Sequence, residues 1–82
     1  MSYSILILAG AARQLVGLPP EVYTAVRDRI RMLAAEPLPA ASEKIAGRDG
    51  WYVLAGRYRV IYKVDQPAGR VTVLDVSPRS DA

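Results

Sequence analysis

Gly56-Arg57-Tyr58-Arg59-Val60-Ile61-Tyr62-Lys63 reads as a turn leading into a β-strand that runs over residues 58–65. Successive side chains of a strand point to opposite faces of its sheet. Tyr58, Val60 and Tyr62 therefore share one face, while Arg57, Arg59 and Lys63 share the other. The aromatic and β-branched side suits a packed core. The cationic side is either a phosphate-reading surface, with its charges held more firmly than on a loop, or an ordinary solvated face.

The neighbouring segments extend this strand into a meander. Gly47-Arg48-Asp49-Gly50 marks a turn, and residues 51–55 form a short strand after it. Gln66-Pro67-Ala68-Gly69 closes a hairpin, and residues 70–76 form the last strand before Ser77-Pro78 stops it. In that strand Val71 and Val73 alternate with Thr72 and Leu74. Asp75 interrupts the apolar run, as an exposed position or as an arginine's partner.

Upstream, residues 20–35 form an amphipathic helix with Val22, Val26, Ile30 and Leu33 in one stripe, widened by Tyr23, Ala25, Met32 and Ala34. Pro20 suits its first turn, Glu21 suits its positive end, and Glu36-Pro37 ends it. Arg29 falls near the middle of the stripe, where its stem either snorkels along the core edge or reaches a carboxylate or an interface. Residues 11–16 form about two helical turns with Ala12 and Val16 on one face, and Gly17 ends them. Residues 3–8 form a strand whose continuous aliphatic run predicts cover on both faces. Residues 38–49 form a connector with a short turn at 42–45. The predicted fold is α+β: an N-terminal strand, a helical hairpin and a three-stranded antiparallel meander, with both helices on one face of a four-stranded sheet.

The whole chain, 1–82, is predicted to be a single domain. A chain this short buries only about 60–65% of its extended surface. There is no cysteine, hence no disulfide and no thiol nucleophile, which fits a cytoplasmic location. There is no histidine either, so any proton transfer falls to Arg, Lys, Tyr, Asp, Glu or the substrate. No metal or cofactor is expected. A formal charge of +3 favours polyanionic or acidic partners. The short apolar run at 5–9 is read as neither a signal peptide nor a membrane anchor.

Arg59 is the leading candidate for a functional cation, because a strand arginine can clamp a phosphodiester. Arg79, just beyond the last strand, can reach the same cleft. Arg57 lies at a turn, and Lys63 lies on the same face farther along. Tyr52 and Tyr62 are either base-stacking rings or ordinary sheet aromatics. Trp51 reads as an apolar anchor and Asp65 as a turn residue. Glu43-Lys44 either borders a cleft or is solvated, and the solvated reading is the better one.

The chain resembles RelE/ParE-type toxins of type II toxin–antitoxin pairs over nearly all its length. The resemblance is carried by Ala11-Ala12-Arg13-Gln14-Leu15 before Leu18-Pro19, the helix after Glu21, Glu36-Pro37, and Lys44-Ile45-Ala46-Gly47 with Trp51. Its most specific stretch is Gly56-Arg57-Tyr58-Arg59-Val60-Ile61-Tyr62, followed by Val71-Thr72-Val73-Leu74-Asp75-Val76 and Arg79-Ser80-Asp81. It implies a compact toxin fold, a cognate antitoxin and one of two targets. RelE-like toxins cut messenger RNA on the ribosome without a metal, the RNA's own 2′-hydroxyl attacking. ParE-like toxins inhibit DNA gyrase without cutting RNA. A third expectation is a weakly active regulatory or antitoxin-binding protein.

For the RNA-cutting case the resemblance makes Arg59 and Arg79 the catalytic pair, with Arg57, Lys63 and Tyr52 around the substrate. The chain departs from the best-equipped RNA-cutting members. Their strand lysines are matched to Val53 and Ala55, their C-terminal tyrosine has no counterpart, and a position often histidine is Pro78.

Overall fold

The computed structural model describes residues 2–79. Its elements are β1 (Ser4–Ile7), α1 (Ala9–Val16), α2 (Pro20–Ala35), β2 (Glu43–Lys44), β3 (Trp51–Ala55), β4 (Tyr58–Asp65) and β5 (Arg70–Pro78). The fold is α+β as expected, but the sheet has five strands, ordered β1-β5-β4-β3-β2. The extra strand is the two-residue β2, read from sequence as a turn. Two residues are too few to show any period. The last strand also runs through Ser77 and Pro78, because Tyr58 pairs with Pro78 and Arg59 with Ser77. Proline is tolerated where a strand ends.

One face of the sheet carries both helices. Its core is Val53 and Ala55 of β3, Val60 and Tyr62 of β4, and Val71, Val73 and Val76 of β5. Ala11 and Leu15 of α1 meet them, with Val26, Ile30 and Leu33 of α2. α1 buries Ala11 and Leu15, not Ala12 and Val16, and Val16 is 83% exposed. The helix begins two residues earlier than its sequence suggests, and the i, i+4 pair that meets the sheet is one residue back. The stripe on α2 is narrower than its composition implies, since Tyr23 and Met32 stay exposed. Pro20 opens α2, and Glu36 leaves helical geometry at φ −139° before Pro37.

β1 pairs in parallel with β5 and lies at the edge of the sheet. Its aliphatic run is covered on one side only, because Leu6 and Leu8 remain exposed. A continuous apolar run thus misread an edge strand as a central one.

Asp75 stands where alternation after Val71 and Val73 would send a side chain into the core. The ladder solves this with a bulge: Tyr62 pairs with Val73 and Ile61 with Asp75, which leaves Leu74 as an extra residue. The shift turns Asp75 away and Val76 inward. α1 continues along this edge of β5 where β1 stops. Gln14 accepts the Val76 N–H through Oε1 at 2.8 Å and donates Nε2–H to Asp75 Oδ1 at 2.9 Å. Ser77 Oγ donates to the other carboxylate oxygen at 2.8 Å. One amide side chain thereby takes the place of a neighbouring strand.

Tyr62 is fully buried, and its hydroxyl donates to the Pro37 carbonyl at 2.7 Å. Burial raises its phenol above the ordinary tyrosine value, against smaller opposing effects from Ser42 and the Arg29 charge. Arg29 is half-buried, lies beside Met32, Leu33 and Glu36, and its Nε has no hydrogen-bond partner.

Gly50 is buried at φ +129°, and a Cβ there would meet the Tyr62 backbone oxygen at 3.3 Å and Ile45 Cδ1 at 3.6 Å.

Two substitutions test this packing. Tyr62→Phe is expected to cost about 1 kcal/mol at neutral pH, read from urea denaturation, because a buried carbonyl loses its donor. A phenol raised by folding contributes stability that is whole below the unfolded value of about 10 and lost as pH rises through the folded value. Alkaline destabilisation is therefore shallower in Tyr62→Phe than in the parent. Gly50→Ala combines a disfavoured φ with a close backbone contact and is expected to cost about 1–3 kcal/mol. Gly47→Ala, at φ +80° but with nothing within 4 Å, should cost less in the same assay.

Candidate functional site

The site is built on the sheet face opposite the helices. Cross-strand partners share a face, so the register collects Tyr52 and Leu54 of β3, Arg59, Ile61 and Lys63 of β4, Ser77 of β5 and Glu43 of β2. Arg59 sits at the centre of its row, paired with Leu54 on one side and Ser77 on the other.

The Arg59 guanidinium carbon lies 4.9 Å from the centroid of the Tyr52 ring. This contact is a cation–π pair, worth about 0.5–2 kcal/mol depending on exposure. Arg59 Nε is buried and has no hydrogen-bond partner. Among the described residues no carboxylate bridges Arg59; the ion pair found joins Arg27 to Asp28, on α2.

Tyr52 in turn donates its phenol hydrogen to Glu43 Oε2 at 2.6 Å. Glu43 and Tyr52 are direct partners in the β2–β3 ladder, so the strand register imposes this approach. The hairpin is closed by Ile45 N–H donating to the Gly50 carbonyl at 3.1 Å. Lys44 Nζ reaches back to the Arg48 and Gly50 carbonyls at 3.1 and 3.4 Å. The Tyr52 phenol is raised above the ordinary value, chiefly by that hydrogen bond to Glu43, then by desolvation and the Glu43 charge. The positive charges of Arg59 and Arg79 both act against the rise.

Arg79 thus acts electrostatically on the same phenol that Arg59 covers. Its backbone N–H donates to the Arg57 carbonyl at 2.8 Å, which ties the segment after β5 to the turn before β4. Arg57 is exposed on that turn. Lys63 stands four residues beyond Arg59 along β4, roughly 13 Å at strand rise, and so lies outside the cluster. Tyr62 is a core residue and no stacking platform. Asp75 serves Gln14 and Ser77 and pairs with neither solvent alone nor Arg59.

The lysine positions need correction. Val53 is fully buried and Ala55 is 8% exposed, both facing the helices. A lysine at either would be buried in the core. The β3 positions that share Arg59's face are Tyr52 and Leu54, one residue back. The cluster therefore holds a phenol, and behind it a carboxylate. The sequence leaves Glu43 between a cleft border and a solvated position, because two residues are too few to show a strand. The available signal was its placement across the Gly47–Gly50 turn from Tyr52.

Among the described residues no three acidic, histidine or cysteine side chains gather as a metal site. Among the described residues no helix is long and apolar enough to cross a membrane.

No curated protein sequence matches the chain. Solved structures do. The chain is similar to a chain of the RelBE2 toxin–antitoxin complex of Mycobacterium tuberculosis, at 27% identity and a TM-score of 0.85, covering 96% of this chain and 100% of that one. It is equally similar to a chain of the archaeal RelE–RelB complex of Pyrococcus horikoshii OT3, at 27% identity and a TM-score of 0.84, with 100% of both chains covered. The isolated RelE toxin of E. coli shares the fold at 19% identity and a TM-score of 0.84, covering 99% of this chain and 88% of that one. The family model for the ParE toxin of type II toxin–antitoxin systems matches residues 10–82. With nearly its full length matched, the chain belongs to that family and is a RelE/ParE-type toxin.

Proposed function

We propose that this toxin cleaves messenger RNA on the ribosome, with Arg59 and Arg79 as the phosphate-holding pair. The observation that carries this reading is that Arg59 lies over the Tyr52 ring on the sheet face away from the helices, while the backbone of Arg79 is tied to the Arg57 carbonyl on the turn that leads into the same strand. A guanidinium held on a strand, with a second arginine on the adjoining segment, suits a phosphodiester and the charge that develops on it during attack. The nucleophile is the RNA's own 2′-hydroxyl, so the protein's task is to hold the phosphate and move protons. Arg57, on the adjoining turn, extends the basic surface toward the flanking backbone, and Lys63 steers from farther along. Action on translating ribosomes makes the protein cytoplasmic.

A cognate antitoxin is the second partner, as in the RelBE complexes of the similar structures. A groove lined by Ile5, Ile7, Leu15, Tyr23 and Ile30 runs between the edge strand β1 and the helices. Such a groove suits an amphipathic segment, and a net charge of +3 favours an acidic one.

Inhibition of DNA gyrase is the competing reading. It draws on the ParE description of the matching family and on the absence of lysine from the Arg59 face of β3.

The test is a side-by-side assay. Purified protein should cut message on programmed ribosomes, with 5′ ends mapped at the decoding site, and leave gyrase supercoiling unchanged. Arg59→Ala should slow cleavage by about 100-fold or more, the scale of losing one preorganised charge-stabilising donor. Arg79→Ala should act in the same direction. Intact message together with inhibited supercoiling would transfer the function to gyrase.

A further inference from the structure

The cleavage reading leaves its proton acceptor unassigned. Without histidine or cysteine, the residue types left are few. Lys63 is roughly 13 Å along the strand from Arg59. Asp75 is held by Gln14 and Ser77 at the α1 edge. Among the described residues, Tyr52 is the titratable side chain in direct contact with Arg59, and the carboxylate it hydrogen-bonds is Glu43.

We propose that Tyr52 and Glu43 form a proton relay for this cleavage, in which Tyr52 receives the 2′-hydroxyl proton and Glu43 takes the phenol's own. The inference rests on the RNA-cleavage reading. Glu43 acts through Tyr52 and is a positioning residue; Tyr52 meets the substrate.

The geometry favours this direction of transfer. A 2.6 Å O–H···O⁻ contact is a charge-assisted hydrogen bond. It fixes the phenol hydrogen on Glu43, which leaves the phenol oxygen's remaining lone-pair capacity for a donor on the substrate side. Arg59 over the ring keeps the phenol beside the phosphate-holding cation. The raised phenol agrees with a group that passes a proton on rather than storing negative charge. Direct β2–β3 pairing and the Lys44 and Ile45 bonds around the turn hold the dyad in register. The charged groups facing Tyr52 are Glu43 from β2, Arg59 from β4 and Arg79 after β5.

The step balances as a transesterification. The 2′-oxygen bonds to phosphorus as its proton moves to the Tyr52 oxygen and the Tyr52 proton moves to Glu43. The bond from phosphorus to the 5′-oxygen breaks, giving a 2′,3′-cyclic phosphate, and the departing 5′-oxygen takes a proton from water. The hydroxide left behind removes the proton from Glu43. No electrons are transferred to or from any other reagent.

Single-turnover cleavage on programmed ribosomes, across pH, tests the relay with the parent, Tyr52→Phe, Glu43→Gln and Arg59→Ala. Tyr52→Phe keeps the ring beneath Arg59 and is expected to lower the maximal rate about 100-fold, the usual scale for one general base, with little change in half-saturation. Glu43→Gln should lower the rate and flatten the acid limb of the pH–rate profile, and Glu43→Asp should restore part of both. Tyrosinate absorbance, with Tyr52→Phe as the subtraction blank, should show Tyr52 titrating at lower pH in Glu43→Gln than in the parent. Parent-like rates in Tyr52→Phe and Glu43→Gln, with Arg59→Ala impaired, would overturn the relay and leave the cleavage reading standing. A parent protein that cuts no message would overturn both.

Discussion

Strict alternation along β4 is the constraint on which the rest of the molecule depends. Val60 and Tyr62 point to the helices and are fully buried, so Arg59 must point away. Because β4 lies in mid-sheet, between β3 and β5, its register is fixed from both sides. A slip by one residue would bury Arg59 and expose Tyr62, losing a packed aromatic and desolvating a charge. The position of the leading functional arginine is thus enforced by the packing of the residues on either side of it. The same rule decides β3, where Val53 and Ala55 go inward and Tyr52 and Leu54 outward.

β5 shows what happens when sequence and alternation conflict. Val71 and Val73 set a phase that Asp75 breaks, and one extra residue at Leu74 restores it for Val76. The carboxylate turned aside is then used, binding Gln14 and Ser77 where β1 no longer reaches. The bulge lies beside Ile61, two residues from Arg59, and so reshapes the sheet next to the candidate site without disturbing the row that holds it.

Strongly periodic segments were legible in the sequence. The bounds of α2 and β4 follow from their apolar stripe, proline punctuation and turn residues, and so does the meander. The face carrying Arg59 followed from parity alone. Short elements are not legible: β2 has two residues, and α1 is too brief for its phase to be read, so its sequence pairs Ala12 with Val16 where the sheet takes Ala11 and Leu15. β1 misled because an edge strand and a buried one share an aliphatic composition. Glu43 reads from sequence as more solvated than cleft-lining for the same reason that β2 is hidden. Its chemistry depends on a cross-strand partner nine positions away, which local patterning does not reveal.

Gln14 carries a consequence beyond the local ladder. By accepting the Val76 N–H past the end of β1, it takes up a backbone donor of β5 that another chain could have used. Among the described residues, what stays open on that side is the four-residue β1, and on the opposite margin the two-residue β2 with the part of β3 it leaves uncovered, Val53 to Ala55. Each open stretch is short. Borders this short give another copy little backbone to extend edge to edge, so the sheet's margins are poor templates for growth.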